Sequence, residues 1–267
     1  MASSYLMENE DEIRRLELKT DAASVERFAV GAGLRPGMRV ADVFCGAGLT
    51  TSILAGLVGP GGSATGYDAS ETRISYARER YGDGRTDFRL ADALVPFPDA
   101  GRYDFVWVRF GLEYFRAEAF DIVRNLTGLL ADDGILCLVD LDHNCLNHYG
   151  MDERLAGAFA GIMAELEEKA NFDPYAGRKL YSHLFRLGFR DIRMDAGAHH
   201  LIYGELNEVD RFNWTKKVKT AALNAGIRFP GYASGEEFLE DFLRFFEDPS
   251  RFTYTPVIAC WGRKPAA

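Results

Sequence analysis

The sequence predicts an α/β chain: a doubly wound, mostly parallel sheet of seven strands carrying a helical cap. Three observations predict it. A strand, a glycine turn and a helix start follow one another over residues 40–58. Apolar strand and helix patterns then alternate five times as far as Asp140. Asp42, Asp68, Asp92, Arg109 and Asp140 all fall at the carboxyl ends of those strands, the edge at which open α/β sheets bind ligands.

Residues 5–30 read as two helices parted near Thr20–Asp21, and residues 1–30 are taken as a lid or as packing helices. Gly31, Gly33 and Pro36-Gly37 turn the chain into the first strand, Val40–Phe44. Gly46 and Gly48 follow, and a helix begins at Leu49. Missing side chains let backbone approach a ligand, and the helix start offers unpaired N–H groups. Thr51 stands where a dinucleotide fingerprint has its third glycine, and Asp42 would repel a pyrophosphate. Asp42 suits a cofactor that carries positive charge, which disfavours a nicotinamide dehydrogenase.

The second strand, Ser63–Tyr67, ends at Asp68-Ala69. A carboxylate there can accept from both hydroxyls of a ribose, and the same stretch opens the next helix at Ser70. A third strand near 87–91 ends at Asp92-Ala93, an acceptor and an N–H suited to an adenine edge. The fourth, Tyr103–Val108, ends at Arg109, and the fifth, Ile135–Asp140, follows Asp132-Asp133-Gly134.

This ordered set, Asp42-Val-Phe-Cys-Gly46-Ala-Gly48, Gly66-Tyr-Asp68-Ala69-Ser70, Ala91-Asp92-Ala93 and Asp132-Asp-Gly134, resembles the class I S-adenosylmethionine-dependent methyltransferases. Within them it is similar to small-molecule enzymes of the ubiquinone and menaquinone biosynthesis type. The Gly177-Arg178-Lys-Leu180 segment shares that likeness. The resemblance implies a Rossmann-like methyltransferase fold with S-adenosylmethionine as cofactor. It implies that Gly46 and Gly48 pass the methionine part, that Asp68 with Ala69 holds the ribose, and that Asp92 with Ala93 reads the adenine. Phe44 departs from the pattern, standing where the family has its first glycine, and a ring there would narrow the methionine pocket or tilt the loop.

The net charge of −9 argues against a nucleic-acid partner and leaves a small molecule as acceptor. Arg109-Phe-Gly-Leu-Glu113-Tyr114 does not match the amine-methylating motif of related families. Arg109 is a candidate for orienting an acidic group of substrate or cofactor; an ion pair with Glu113 is the plainer reading. The stretch Asp140-Leu-Asp142-His143-Asn144-Cys-Leu-Asn147-His148-Tyr149 is the place to look for a base. His143 leads because imidazole titrates near neutral pH, with His148 as a substrate contact. The spacing of the two histidines matches no metal site.

Beyond a sixth strand at Asp191–Ala196 and before a seventh at Tyr254–Trp261 lies a long aromatic insert. It reads as a cap over the substrate or as a homodimer interface. The core is then 31–203 with 252–267, and the cap 204–251. Lys216, Lys217 and Lys219 read as a solvated face. Four cysteines without a CxxC pair suit a reducing cytoplasm, and no apolar run is long enough to span a membrane. A module that binds the cofactor without turnover is the alternative to an enzyme.

Overall fold

The computed structural model describes residues 20–97, 102–222 and 228–265. The first of the two expected N-terminal helices lies outside these residues. The second is α1 (Ala22–Ala32), which Asp21 caps by accepting from the Ala23 N–H at 3.1 Å. Val25, Phe28, Ala29 and Ala32 recur at helical spacing, and all are buried with Leu54, Val139 and Val257. Helix α1 therefore packs into the core.

The elements β1 (Arg39–Val43), α2 (Leu49–Val58), β2 (Ser63–Asp68), α3 (Glu71–Tyr81), β3 (Thr86–Leu90) and β4 (Tyr103–Arg109) follow in the expected alternation. Then come α4 (Ala119–Leu126), β5 (Leu130–Leu141) and a two-residue strand β6 (His148–Tyr149). The chain continues through α5 (Glu153–Lys169), α6 (Leu180–Arg186), β7 (Arg190–Tyr203), α7 (Glu208–Ala222), α8 (Gly235–Glu247) and β8 (Phe252–Arg263).

The sheet order is β3-β2-β1-β4-β5-β8-β6, with β7 paired to β8. The first five strands are parallel and β8 runs against β5, β6 and β7. Eight strands thus replace the expected seven, because His148–Tyr149 adds to β8 at Phe252 and Thr253. Strand β7 also runs seven residues past its expected end, since β8 pairs with it as far as Tyr203. The strand order reverses between β1 and β4, which places Asp42 and Arg109 at the switch point.

Buried side chains cover both faces of the sheet, with Val106, Leu138 and Leu184 on one and Val40, Phe105 and Val139 on the other. A third core lies beyond the sheet edge. There Leu155, Phe159 and Ile162 of α5 meet Trp214 of α7 and Phe238, Phe242 and Phe246 of α8. The cap is consequently built from α5 as well as from the insert between β7 and β8. Its largest aromatics are buried in that core and not offered to solvent.

Candidate active site

The glycine turn is closed by the Cys45 N–H donating to the Tyr67 carbonyl and the Gly48 N–H to that of Cys45, each at 3.0 Å. Gly46 (φ 54) and Gly48 (φ 93) are left-handed. A Cβ on Gly48 would lie 2.8 Å from both Ala77 Cβ and Phe88 Cε1, so α2 packs on α3 and β3 only through a glycine. Phe44 is left-handed too (φ 64), a conformation that costs a side-chain-bearing residue roughly 1 kcal/mol. Its ring lies on the Phe115 ring (centroids 5.4 Å apart) and against the Cα of Gly111. The ring is therefore engaged with the loop after β4.

Asp68 is tied to this turn. Its Oδ2 accepts from the Gly46 N–H at 2.9 Å, and its Oδ1 accepts from the Ser70 N–H at 3.0 Å. Arg73 stands 3.7 Å away. The helix-cap reading of this stretch is seen, for Ser70 caps α3 through the Arg73 N–H. Each carboxylate oxygen keeps acceptor capacity for a hydroxyl pair. Asp92 is exposed and accepts from the Leu94 N–H at 2.9 Å through Oδ1, while Ala93 is buried beneath it and Ala69 is exposed beside Asp68.

Asp42 is fully buried and its Oδ2 accepts from the Thr51 hydroxyl at 2.6 Å. Burial pushes its carboxyl up to about 7, against the pull of Thr51 and Arg109. Its Oδ1 takes no hydrogen bond from the described residues. A buried acid with a spare oxygen beside a glycine turn fits a cationic amine, and the glycines and Asp68 fit the rest of an adenosyl cofactor. Thr51, which fails the dinucleotide pattern, is here the partner of Asp42.

Arg109 ends β4 with its guanidinium 4.0 Å from the centroid of the Phe110 ring. Burial pushes its pKa down to about 10, opposed by the fields of Asp42, Asp21 and Asp140. No carboxylate of the described residues forms an ion pair with it. Glu113 turns elsewhere: its Oε2 accepts from Asn144 Nδ2 at 2.8 Å. The buried Asp140 carboxylate accepts from the Glu113 and Leu141 N–H groups at 3.2 and 2.9 Å. Burial first, then the Glu113 charge, raises the Asp140 pKa well above the usual range.

The polar chain extends into the cap. Lys217 of α7 donates to Asn144 Oδ1 at 3.2 Å and lies 5.5 Å from the Trp214 ring centroid. It is half-buried, so of the three lysines expected on a solvated face Lys217 instead joins cap to core, while Lys219 is exposed. Asp142 accepts from Arg178 through both oxygens, at 2.8 and 2.9 Å.

The two candidate histidines part company. His143 is half-buried and left-handed (φ 47), and its ring meets Tyr175 edge-on at 5.2 Å. Neither ring nitrogen is hydrogen-bonded by a described residue. His148 is occupied: Nε2–H donates to the Cys145 carbonyl at 3.2 Å, leaving Nδ1 to accept from the Thr253 hydroxyl at 2.9 Å. Phe159, Trp214 and Phe245 surround it, and burial pushes its pKa down to about 4. It is a neutral member of the cap core with no nitrogen free for substrate. His199 and His200 are half-buried; His199 stands edge-on to Phe110 at 4.8 Å, and His200 bonds Thr255.

Glu113, Asn144 and Lys217 form one hydrogen-bonded set, a grouping that the sequence did not predict. Asn144 lay inside a stretch rich in polar residues, but the pairing of Lys217 with it spans 73 positions and leaves no local pattern.

Comparison with known proteins places this geometry. The family model described as "Methyltransferase domain" matches residues 41–138. The ubiquinone/menaquinone biosynthesis C-methyltransferase UbiE of Pseudomonas fluorescens is 29% identical over 187 residues, which cover 67% of this chain and 72% of that protein. Among solved structures, the YcgJ protein of Bacillus subtilis matches with a TM-score of 0.59 at 16% identity, over 92% of this chain and 100% of that one. The [4+2]-cyclase SpnF matches with a TM-score of 0.54 at 22% identity, over 92% and 81%. At these identities the two structures carry the fold alone.

Proposed function

We propose that this chain, a class I S-adenosylmethionine-dependent methyltransferase, methylates a small molecule with an apolar or aromatic body. The observation that carries the acceptor class is the bond from Lys217 to Asn144. It fastens the cap to the loop after β5, beside the strand ends that bear Asp42 and Arg109. Such a cap suits an enclosed small acceptor better than a polymer. The net charge of −9 and the quinone-pathway name of the UbiE relative support the same class.

In this reading Asp42 takes the amino group of the cofactor, Gly46 and Gly48 pass its methionine part, Asp68 takes the ribose hydroxyls with Ala69 alongside, and Asp92 with Ala93 takes the adenine edge. The bound cofactor supplies an electrophilic methyl on a sulfonium. Arg109 orients an anionic group, His143 accepts the proton of the acceptor, and the cap excludes water and holds nucleophile and methyl in line. The test is transfer of labelled methyl to a panel of phenols, quinols and small acids, with RNA and denatured protein as controls. Label on a small acceptor is expected; label on the polymers alone sinks the reading.

A second reading, a module that binds the cofactor without turnover, is favoured by Phe44 in the place of the family's first glycine. It predicts calorimetric binding of the cofactor with no label on any acceptor.

A further inference from the structure

Beyond the carboxyl ends of β4 and β5 the side chains close a circuit. The Phe110 ring after β4 meets His199 of β7 at 4.8 Å, His199 meets His200 at 4.3 Å, and His200 meets Trp214 of α7 at 5.5 Å between centroids. Lys217, further along α7, donates to Asn144 in the loop after β5, and Asn144 donates to Glu113 in the loop that follows Phe110. The circuit is aromatic along one side and carries an ammonium on the other. Asn144 has both ends of its amide engaged, so it holds that ammonium at a set point.

We propose, resting on the methyl-transfer reading of this site, that Lys217 binds a carboxylate of the acceptor, which is thus an aromatic acid. Lys217 is half-buried, and among the described residues no carboxylate pairs with it. Arg154, Arg211 and Arg244, also of the cap, are each ion-paired, to Glu237, Glu247 and Asp241. An ammonium drawn out of water without a counterion is costly, and Asn144 leaves it N–H donors to spare. Trp214, its ring centroid 5.5 Å from Lys217 Nζ, offers a face but no charge. A carboxylate supplies the counterion through a charge-assisted hydrogen bond. A single ammonium balances a single negative charge, which suits a carboxylate rather than a phosphate monoester. An amine acceptor would be repelled there. Asn213 stands one turn before Lys217 on the same face of α7; it is buried, and its Oδ1 accepts from no described residue. That oxygen suits a hydroxyl on the same acid, because a buried carbonyl left without a donor is destabilising.

The test is calorimetric titration of the full chain, loaded with S-adenosylhomocysteine, with hydroxylated benzoic, cinnamic and naphthoic acids, each paired with its uncharged amide. At least one acid is expected to bind about tenfold or more tighter than its amide. Lys217→Met should abolish that preference, and Lys217→Arg should keep most of it. Circular dichroism and titration with S-adenosylhomocysteine check that both variants are folded. Equal affinities in every pair, or no binding by any acid, overturn the proposal. So does a preference that survives Lys217→Met. Binding is read without turnover, which separates the two readings. A preference for acids with no label on any acceptor removes methyl transfer and keeps the anion site; label on acceptors with no preference for acids does the reverse.

Discussion

The Gly46 N–H donates to the Asp68 carboxylate at 2.9 Å, so the glycine turn after β1 and the acid at the end of β2 are one unit. Asp68→Ala therefore removes a buried acceptor and leaves the turn unanchored. We expect at least a tenfold loss in cofactor affinity by calorimetry, with a stability loss of about 1–3 kcal/mol in urea. Unchanged affinity in a folded variant would remove Asp68 from the cofactor site.

Phe44 and Gly111 form a second inseparable pair. A Cβ at Gly111 would lie 2.2 Å from Phe44 Cδ2. Gly111→Ala alone should destabilise the protein by roughly 1–3 kcal/mol through overpacking. Adding Phe44→Gly makes room and relaxes the left-handed backbone, so the double variant should recover much of that loss. A double-mutant cycle with no coupling contradicts the packing described above.

Asp42 and His148 act on stability in opposite directions across one pH window. Burial raises Asp42 to about 7, above its unfolded value, so its contribution is full below pH ~4 and is lost as pH rises through 7. His148 is lowered to about 4, below its unfolded value, so its contribution is lost as pH falls from ~6.5 toward 4. Asp42→Asn should flatten the decline above pH 5, by a few kcal/mol at most on the order of the shift. His148→Phe should flatten the decline on the acid side. Urea titrations at several pH values separate the two; parallel profiles for both variants would refute the assignment.

Cofactor binding should also move a proton. A cationic amine beside Asp42 favours its ionised form, so binding near pH 6.5 should release protons. Calorimetry in two buffers of different ionisation enthalpy reads this directly. The release should vanish in Asp42→Asn, and a wild type that releases none places the amine elsewhere.

His143→Ala should lower turnover by about 10²–10⁴-fold with cofactor affinity unchanged, the range for a lost acid–base group. His148→Ala should instead lower stability by about 2–4 kcal/mol, because it hollows an aromatic core. The reverse pattern would exchange their roles.

The core of the fold was legible because β1, β4 and the second half of β5 are apolar runs, and turns and helix patterns separate them from the more polar β2 and β3. The positions of Asp42, Asp68 and Arg109 at strand ends and of Gly46 and Gly48 in the turn were legible because strand ends and glycine turns leave local marks. The cap was legible as aromatic helices, but α5 was not read as part of it, since its pairing with Phe238 and Phe242 is long-range. Strand β7 was cut short at Ala196 because the small residues Gly197 and Ala198 interrupt the usual strand pattern, and only pairing with β8 carries it on to Tyr203. Lys217 looked like solvated charge because nothing near it in sequence announces Asn144. His143 and His148 looked alike five residues apart, and only tertiary packing divides an open imidazole from an enclosed one.

The ends of the inserted helices come back to adjacent rungs of one ladder, for Tyr203 and Phe252 face each other in register. The Gly204 N–H and the Pro249 carbonyl close the gap at 3.1 Å. Residues 204–251 are thus a cassette with a two-point plug, set into a hairpin that would be whole without them. An exchange of that cassette leaves the pairing of β7 with β8, and the glycine turn after β1, as they are. The exchange carries one constraint: any replacement must still seat on Leu155, Phe159 and Ile162 of α5.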